Sequence, residues 1–194
     1  DPESFYVTPE TWRNMARWQK KFLMLRNTLP GRLIAGPLET LIVFYRNEMQ
    51  AIRAGKTKVM RAWQWHGAGV VIVVAILLMA GINPLVYFAL LVYPSISLTL
   101  LRSYAEHKFD NLPEHRTGIV EAGLFWRLLY LNNNYHALHH DCPCLPWYEL
   151  PRKYKAGRDS VLARNDYYYI PGYSEIVRKY MFRIWNFPIR RPER

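Results

Sequence analysis

At 194 residues, with 26 Lys and Arg against 15 Asp and Glu and a formal net charge of +11, the chain is long enough for one domain and basic enough to call for an anionic partner. No nucleic-acid-binding motif accompanies that charge, and a content of 51% hydrophobic and 15% aromatic residues points to a membrane surface instead of nucleic acid. Cys142 and Cys144 are the only cysteines, too close for an unstrained disulfide, which excludes a secreted disulfide framework.

Residues 1–30 are charged and lack the apolar core of a signal peptide. Thr8-Pro9-Glu10 reads as an N-cap followed by proline at the first helical position, and predicts a helix to about Asn27. Trp12, Met15, Phe22 and Leu23 make one side of it apolar, and Arg13, Arg17, Lys20, Lys21 and Arg26 make the rest basic. That mix suits a helix lying on a membrane surface, although ordinary core packing uses the same pattern.

Leu33 to Tyr45 is apolar apart from Glu39, but Gly36-Pro37 interrupts it, so it is expected to be too short to span a bilayer. Arg46, Arg53, Lys56, Lys58 and Arg61 follow, against the single acid Glu48. From Ala62 to Leu101 there is no Asp, Glu, Lys or Arg. Gly81-Ile82-Asn83-Pro84 divides that run into two arms of about 18 residues, each reaching roughly 27 Å against a hydrocarbon core of about 30 Å. A transmembrane helical hairpin is predicted, with Trp63, Trp65 and His66 at the headgroup level and Arg102 at the exit. Both ends of the hairpin carry the basic residues, so the positive-inside rule puts them in the cytoplasm.

The second arm leads to Ser103 and to Glu106-His107. A polar helix carrying Glu114, Arg116, Glu121 and Arg127 is expected next, ahead of Asn132-Asn133-Asn134-Tyr135-His136-Ala137-Leu138-His139-His140-Asp141. On a helix His136 faces His139 and His140 across one turn, which is ligand spacing for zinc, copper, iron or nickel. Adjacent helical side chains diverge by roughly 100°, so His139 and His140 are placed to serve two metals. His107 is the nearest further ligand. Glu106, Asp141 and Glu121 are candidates to accept the second N–H of a ligating imidazole. Asn134 or Ser103 could hold a metal-bound water. Pro143 and Pro146 predict a turn that carries Cys142 and Cys144 away from the imidazoles.

After Pro151 the chain is basic again, and a last helix from about Ser174 to Trp185 has Ile176, Val177, Tyr180, Met181, Ile184 and Trp185 on one face. It is expected to cap a cytoplasmic metal domain. The whole reads as all-α, with a membrane helical hairpin and a cytoplasmic helical metal-binding cap. Residues 1–61 are interfacial helices, 62–101 the hairpin, and 102–194 the histidine segment and cap. No repeat, Gly-rich nucleotide loop or G-x-S-x-G motif is present.

Arg102-Ser103-Tyr104-Ala105-Glu106-His107, His115-Arg116-Thr117, the run from Asn132 to His140 and Pro146-Trp147-Tyr148-Glu149-Leu150-Pro151 resemble the integral-membrane fatty acid desaturases and the related alkane, lipid and carotenoid hydroxylases. The resemblance covers residues 80 to 175 well and the first third loosely, through Asp1-Pro2-Glu3-Ser4. It implies a di-iron centre held by about eight histidines from several boxes. That centre would activate O2 to break an unactivated C–H bond of a membrane lipid or fatty acyl substrate, with electrons from a ferredoxin or cytochrome b5-like donor. His107, His136, His139 and His140 match ligand positions of that family.

Family members carry further histidine boxes ahead of this segment, and none precedes His66 here. With Asp1 in first place, the chain reads as the C-terminal part of a longer protein whose N-terminal portion holds those boxes. Desaturation is the activity the resemblance implies, hydroxylation by the same kind of centre the nearest alternative. A zinc-dependent membrane lipid hydrolase and a non-enzymatic membrane module with a structural metal are the other readings the histidine cluster leaves open.

Overall fold

The computed structural model describes residues 6–185 and 187–189. It is all-α: nine helices occupy the described residues, with one pair of two-residue strands. The chain forms two compact units, residues 33–99 and residues 1–32 with 100–194. Segment 33–61 thus groups with the apolar hairpin, and the first 32 residues group with the histidine segment.

In the unit of residues 33–99, helix α3 (Leu29–Arg53) enters from its start outside the unit, α4 (Thr57–Met79) follows, and α5 (Pro84–Glu106) begins beyond the Gly81 turn. Both connections use the same device. Gly55 and Gly81 adopt φ of 74° and 72°, where a Cβ would be strained. Lys56 N–H donates to Ala51 O at 3.1 Å and Gly55 N–H to Ile52 O at 2.9 Å. After α4, Ile82 N–H donates to Leu77 O at 2.8 Å and Gly81 N–H to Leu78 O at 3.0 Å. These paired bonds are the Schellman closure of a helix C-terminus. Asn83 then caps α5 by accepting from Leu85 N–H at 2.8 Å, with Pro84 at its first position.

Helices α4 and α5 are each 23 residues, long and apolar enough to cross a membrane, and only 6% of the apolar window in each is buried within the protein. Hydrocarbon is the solvent such surfaces suit, since every backbone group inside a helix is already paired. Residues Phe88–Val92 of α5 are wound as a π-helix.

The expected break at Gly36-Pro37 does not occur: α3 runs straight through Pro37. A proline inside a helix removes one hydrogen bond and costs about 3 kcal/mol or more. The carbonyl it orphans belongs to Leu33, and Ser97 Oγ–H donates to that oxygen at 2.7 Å. Tyr93 O–H donates to the neighbouring carbonyl of Ile34. Side chains from α5 therefore replace the missing amide, and Pro37 itself is fully buried.

In the other unit, α1 (Pro9–Asn14) is capped by Thr8, whose Oγ1 accepts from Thr11 N–H at 3.1 Å. The single helix expected to Asn27 is broken at Met15, which is extended, and α2 (Arg17–Arg26) restarts with Gln19 Oε1 accepting from Ala16 N–H at 2.8 Å. Trp18, Phe22 and Leu25 stay exposed on one face of α2, while Leu23 is buried.

The polar helix expected over Glu114 to Arg127 is not a helix either. Pro113–His115 is one 3-10 turn, β1 (Ile119–Val120) follows, and α6 spans Leu124–Leu129. Pro113, Gly118 and Gly123 punctuate the stretch, and Thr117 to Val120 are buried. Strand β1 pairs in parallel with β2 (Tyr169–Ile170). Gly118 is required by close approach, because a Cβ there would lie 3.0 Å from Tyr168 Cε1.

Helices α7 (His136–Asp141), α8 (Leu150–Arg164) and α9 (Tyr173–Tyr180) complete the unit. Ile119, Ala137, Leu138, Leu150, Val161 and Leu162 pack together at its centre, with Tyr135 and Tyr154. Helix α9 ends at Tyr180 and does not reach Trp185, which turns back so that its ring meets Tyr180 at 4.1 Å and Tyr104 at 5.6 Å.

Ser97→Ala leaves the Leu33 carbonyl without its donor and should destabilise the protein by about 1–3 kcal/mol, while Ser97→Thr retains the hydroxyl. Thermal unfolding of detergent-purified protein measures this; an unchanged midpoint in Ser97→Ala would show that the Pro37 gap is closed in another way.

Candidate metal centre

His107 directly follows the last residue of α5, and His136 and His140 lie one turn apart on α7. One ring nitrogen from each lies within 4.8 Å of the others. Ring centroids of His136 are 4.6 Å from His107 and 4.5 Å from His140. The two Nε2 atoms of His136 and His140 are 3.0 Å apart. Two imidazole nitrogens bound at about 2.1 Å and at about a right angle around one metal would have that separation. Three imidazoles thus converge as one ligand set, and His136 is buried, His107 half-buried and His140 exposed.

The far nitrogen of His136 is also engaged. Its Nδ1 lies 3.2 Å from Asn133 Oδ1 and 3.4 Å from Glu106 Oε2. Both oxygens accept, so Nδ1 carries the proton and the Nε2 lone pair is aimed at the centre of the cluster. Glu106 is fully buried. Arg102 Nε approaches its Oε2 at 3.3 Å and Tyr173 O–H donates to its Oε1 at 3.3 Å. Burial, with the Glu106 charge beside it, holds the Tyr173 phenol far above its ordinary pKa, so it remains a donor. Trp126 and Tyr130 pack on its ring at 4.8 and 5.3 Å.

His139 does not join the three. It is not among the residues whose ring nitrogens lie within 4.8 Å of one another, and it lines a cavity of about 260 Å³ with Arg102, Tyr130, Asn133 and Trp147. The divergence expected of adjacent helical residues is what separates His139 from His140.

Two of the proposed carboxylates lie elsewhere. Asp141 pairs with Arg164. Glu121 accepts from Tyr154 O–H at 2.7 Å, Arg158 Nε–H at 2.7 Å and Tyr169 O–H at 3.1 Å. Burial pushes the Glu121 carboxyl up, but these donors outweigh it and hold it below the usual carboxylate range. Glu121 thus ties β1 to α8 and β2. Asn134 is fully buried and exchanges two backbone-directed bonds with Val120: Nδ2–H to Val120 O at 2.6 Å and Val120 N–H to Asn134 O at 2.8 Å. Its contacts fix the approach to α7. Ser103 is buried one turn before His107. Cys142 packs against the apolar cluster and Cys144 is exposed, both as free thiols outside the histidine group.

Asn133, Arg102 and Tyr173 are the functional neighbours that sequence reasoning missed. Asn133 had a signal, three residues before His136 and at the mouth of its helix. Tyr173 had none, since its approach to Glu106 depends on the tertiary fold. The turn that delivers Asn133 is strained: Leu131 and Asn132 adopt φ of 49° and 54°. Arg127 Nε–H to Asn132 Oδ1 at 3.0 Å and Asn132 Nδ2–H to Trp147 O at 3.1 Å hold it.

Because Glu121 titrates lower in the folded protein than in the unfolded chain, its contribution to stability is present above the unfolded value of about 4.3 and fades as pH falls through that region. Glu121→Gln should lower the thermal midpoint at pH 7, with the gap to wild type closing toward pH 3; a gap constant with pH would contradict it.

The model of the fatty acid desaturase family matches residues 1–173. Neither the curated proteins nor the solved structures contain a significant match. The two long apolar helices and the family together make this a membrane-associated chain, and the chain belongs to the fatty acid desaturase family.

Proposed function

We propose that this chain carries part of the iron centre of an oxygen-dependent desaturase that introduces a C=C bond into a membrane lipid or fatty acyl chain. The family supports a lipid-modifying oxidoreductase of desaturase or hydroxylase type. The observation that carries the reading further is the convergence of His107, His136 and His140, with the Nε2 atoms of His136 and His140 3.0 Å apart and a buried carboxylate behind His136.

The residues present fit iron: imidazole is a good ligand for it, and the three rings leave coordination positions open. His107, His136 and His140 would hold one iron. His139, turned to the other side of α7, would ligate a second. Of the six histidines in the sequence these four are assigned, and a two-iron centre of about eight histidines would draw its further ligands from elsewhere. A further N-terminal portion with its own histidine boxes is the expected source. Iron bound here would supply activation of O2, with two electrons from a ferredoxin or cytochrome b5-like donor.

The chain's own groups do the rest. Asn133 and Glu106 keep the His136 proton on Nδ1, and Arg102 and Tyr173 keep the Glu106 charge in place. By the positive-inside rule the basic segment Arg46 to Arg61 supports a cytoplasmic side for the ends of the hairpin and, with its second end, for the histidines. The basic exterior suits an acidic electron carrier. A zinc-dependent lipid hydrolase is the competing reading, because three imidazoles with an open position are also a catalytic zinc set.

Metal analysis of the detergent-purified complete polypeptide should find about two irons; one zinc and no iron would sink the proposal. His139→Ala should abolish desaturation while the site of His107, His136 and His140 still binds metal. A His139→Ala protein that still desaturates lipid would remove His139 from the ligand set. Asn133→Ala and Glu106→Gln should each weaken metal retention by roughly 10–100-fold, measured by competition with a chelator.

A further inference from the structure

Within the unit of residues 33–99, helices α3, α4 and α5 enclose a groove of about 520 Å³. Its walls are apolar, with Leu41, Val92 and Ile96 among them, and its volume is in the range of small-molecule sites, about 300–1,000 Å³. The π-helical stretch Phe88–Val92 contributes two of its lining residues, and such irregular turns gather at functional sites.

One charged residue faces this groove. Glu48 accepts from Trp63 Nε1–H at 2.8 Å, and among the described residues no Lys or Arg pairs with it, although Arg46, Arg53, Lys56, Lys58 and Arg61 are close in sequence. A carboxylate has about four acceptor positions, so most of Glu48's are unused. Glu48 is half-buried and bonded to Trp63 at the headgroup level, where a lipid ammonium can meet its charge.

The rings around Glu48 are those that meet cations. Phe44, Tyr45 and Trp63 all line the groove, with centroids 5.6 Å apart for Phe44 and Tyr45, 5.6 Å for Tyr45 and Trp63, and 6.1 Å for Phe44 and Trp63. His66 abuts the Trp63 ring edge-on at 5.4 Å. Aromatic faces grouped beside a carboxylate are the recognition chemistry of an ammonium group. The unfilled acceptor positions select a primary ammonium with three N–H donors over a quaternary one with none.

We infer that this groove binds phosphatidylethanolamine, its ammonium between Glu48 and the Phe44, Tyr45 and Trp63 rings and one acyl chain along the apolar wall. The basic turn from Arg53 to Arg61 supplies positive charge for the phosphate of the same headgroup. The site is built entirely from residues 33–99.

Detergent-purified protein mixed with equal amounts of dioleoyl phosphatidylethanolamine, phosphatidylcholine and phosphatidylglycerol should, by native mass spectrometry, retain the ethanolamine lipid about tenfold over the glycerol lipid. Glu48→Gln keeps the oxygen that accepts from Trp63 and removes the charge; it should bring retention of the ethanolamine lipid down to the glycerol level with the thermal midpoint unchanged. Phe44→Leu, which keeps an apolar wall, should cost roughly threefold. Equal retention of ethanolamine and glycerol lipids, equal retention of ethanolamine and choline lipids, or an unchanged preference in both variants would overturn the inference. So would absence of any lipid adduct because a second copy or another protein segment covers the groove.

Discussion

The geometry of the histidine cluster hangs on the backbone of residues 118 to 121. Gly118 N–H donates to Glu106 O at 2.8 Å, and Gly118 O accepts from Ala137 N–H at 3.1 Å. Val120 N–H and Glu121 N–H reach Asn134 O and Ile170 O at 2.8 and 2.9 Å. The residues immediately flanking two histidines of the cluster, His107 and His136, are therefore bonded to opposite sides of one glycine. Backbone groups buried at this depth must be paired, so a shift of either segment would break these bonds at a cost. Packing of Ile119 with Ala137, Leu138 and Leu150 then excludes water from those bonds.

The second level of order is electrostatic. Glu106 is buried at the end of a membrane-length helix, where an isolated carboxylate would be costly. Arg102 meets one of its oxygens and the Tyr173 hydroxyl the other. Its Oε2 also faces His136, so one buried charge fixes the tautomer of that imidazole and, through Tyr173, recruits helix α9 to the histidine cluster. Helix α9 is thereby a part of the cluster's support, in addition to its basic outer surface.

The features legible in the sequence were those set by local rules. The hairpin length, the Gly81 to Pro84 turn and the one-turn spacing of His136 and His140 follow from helix periodicity and turn chemistry. The divergence of His139 from its neighbour follows from the same 100° step. What escaped were features decided by distant partners. Pro37 should have ended a helix, but Ser97 repairs the gap by reaching the carbonyl of Leu33, 64 residues before it. Residues 113 to 127 carry a polar pattern that suits a helix, but the backbone amides of residues 118 to 121 in their midst bond to Glu106, Tyr168, Asn134 and Ile170, none of which is a local neighbour. Glu121 was a plausible partner for an imidazole until Tyr154, Arg158 and Tyr169 took its oxygens.

The contact of Gly118 with Tyr168 carries a consequence for how this protein can change. The hydroxyl of Tyr168 donates to Ala105 O at 2.8 Å, one peptide before Glu106. A methyl group at position 118 would press on the Tyr168 ring from 3.0 Å, and the ring could yield only by pulling at the same turn that ends in His107. A residue that bears no side chain and lies outside the histidine cluster is thus mechanically in series with His107. The variation open to this fold is bounded at such silent positions as tightly as at the histidines themselves.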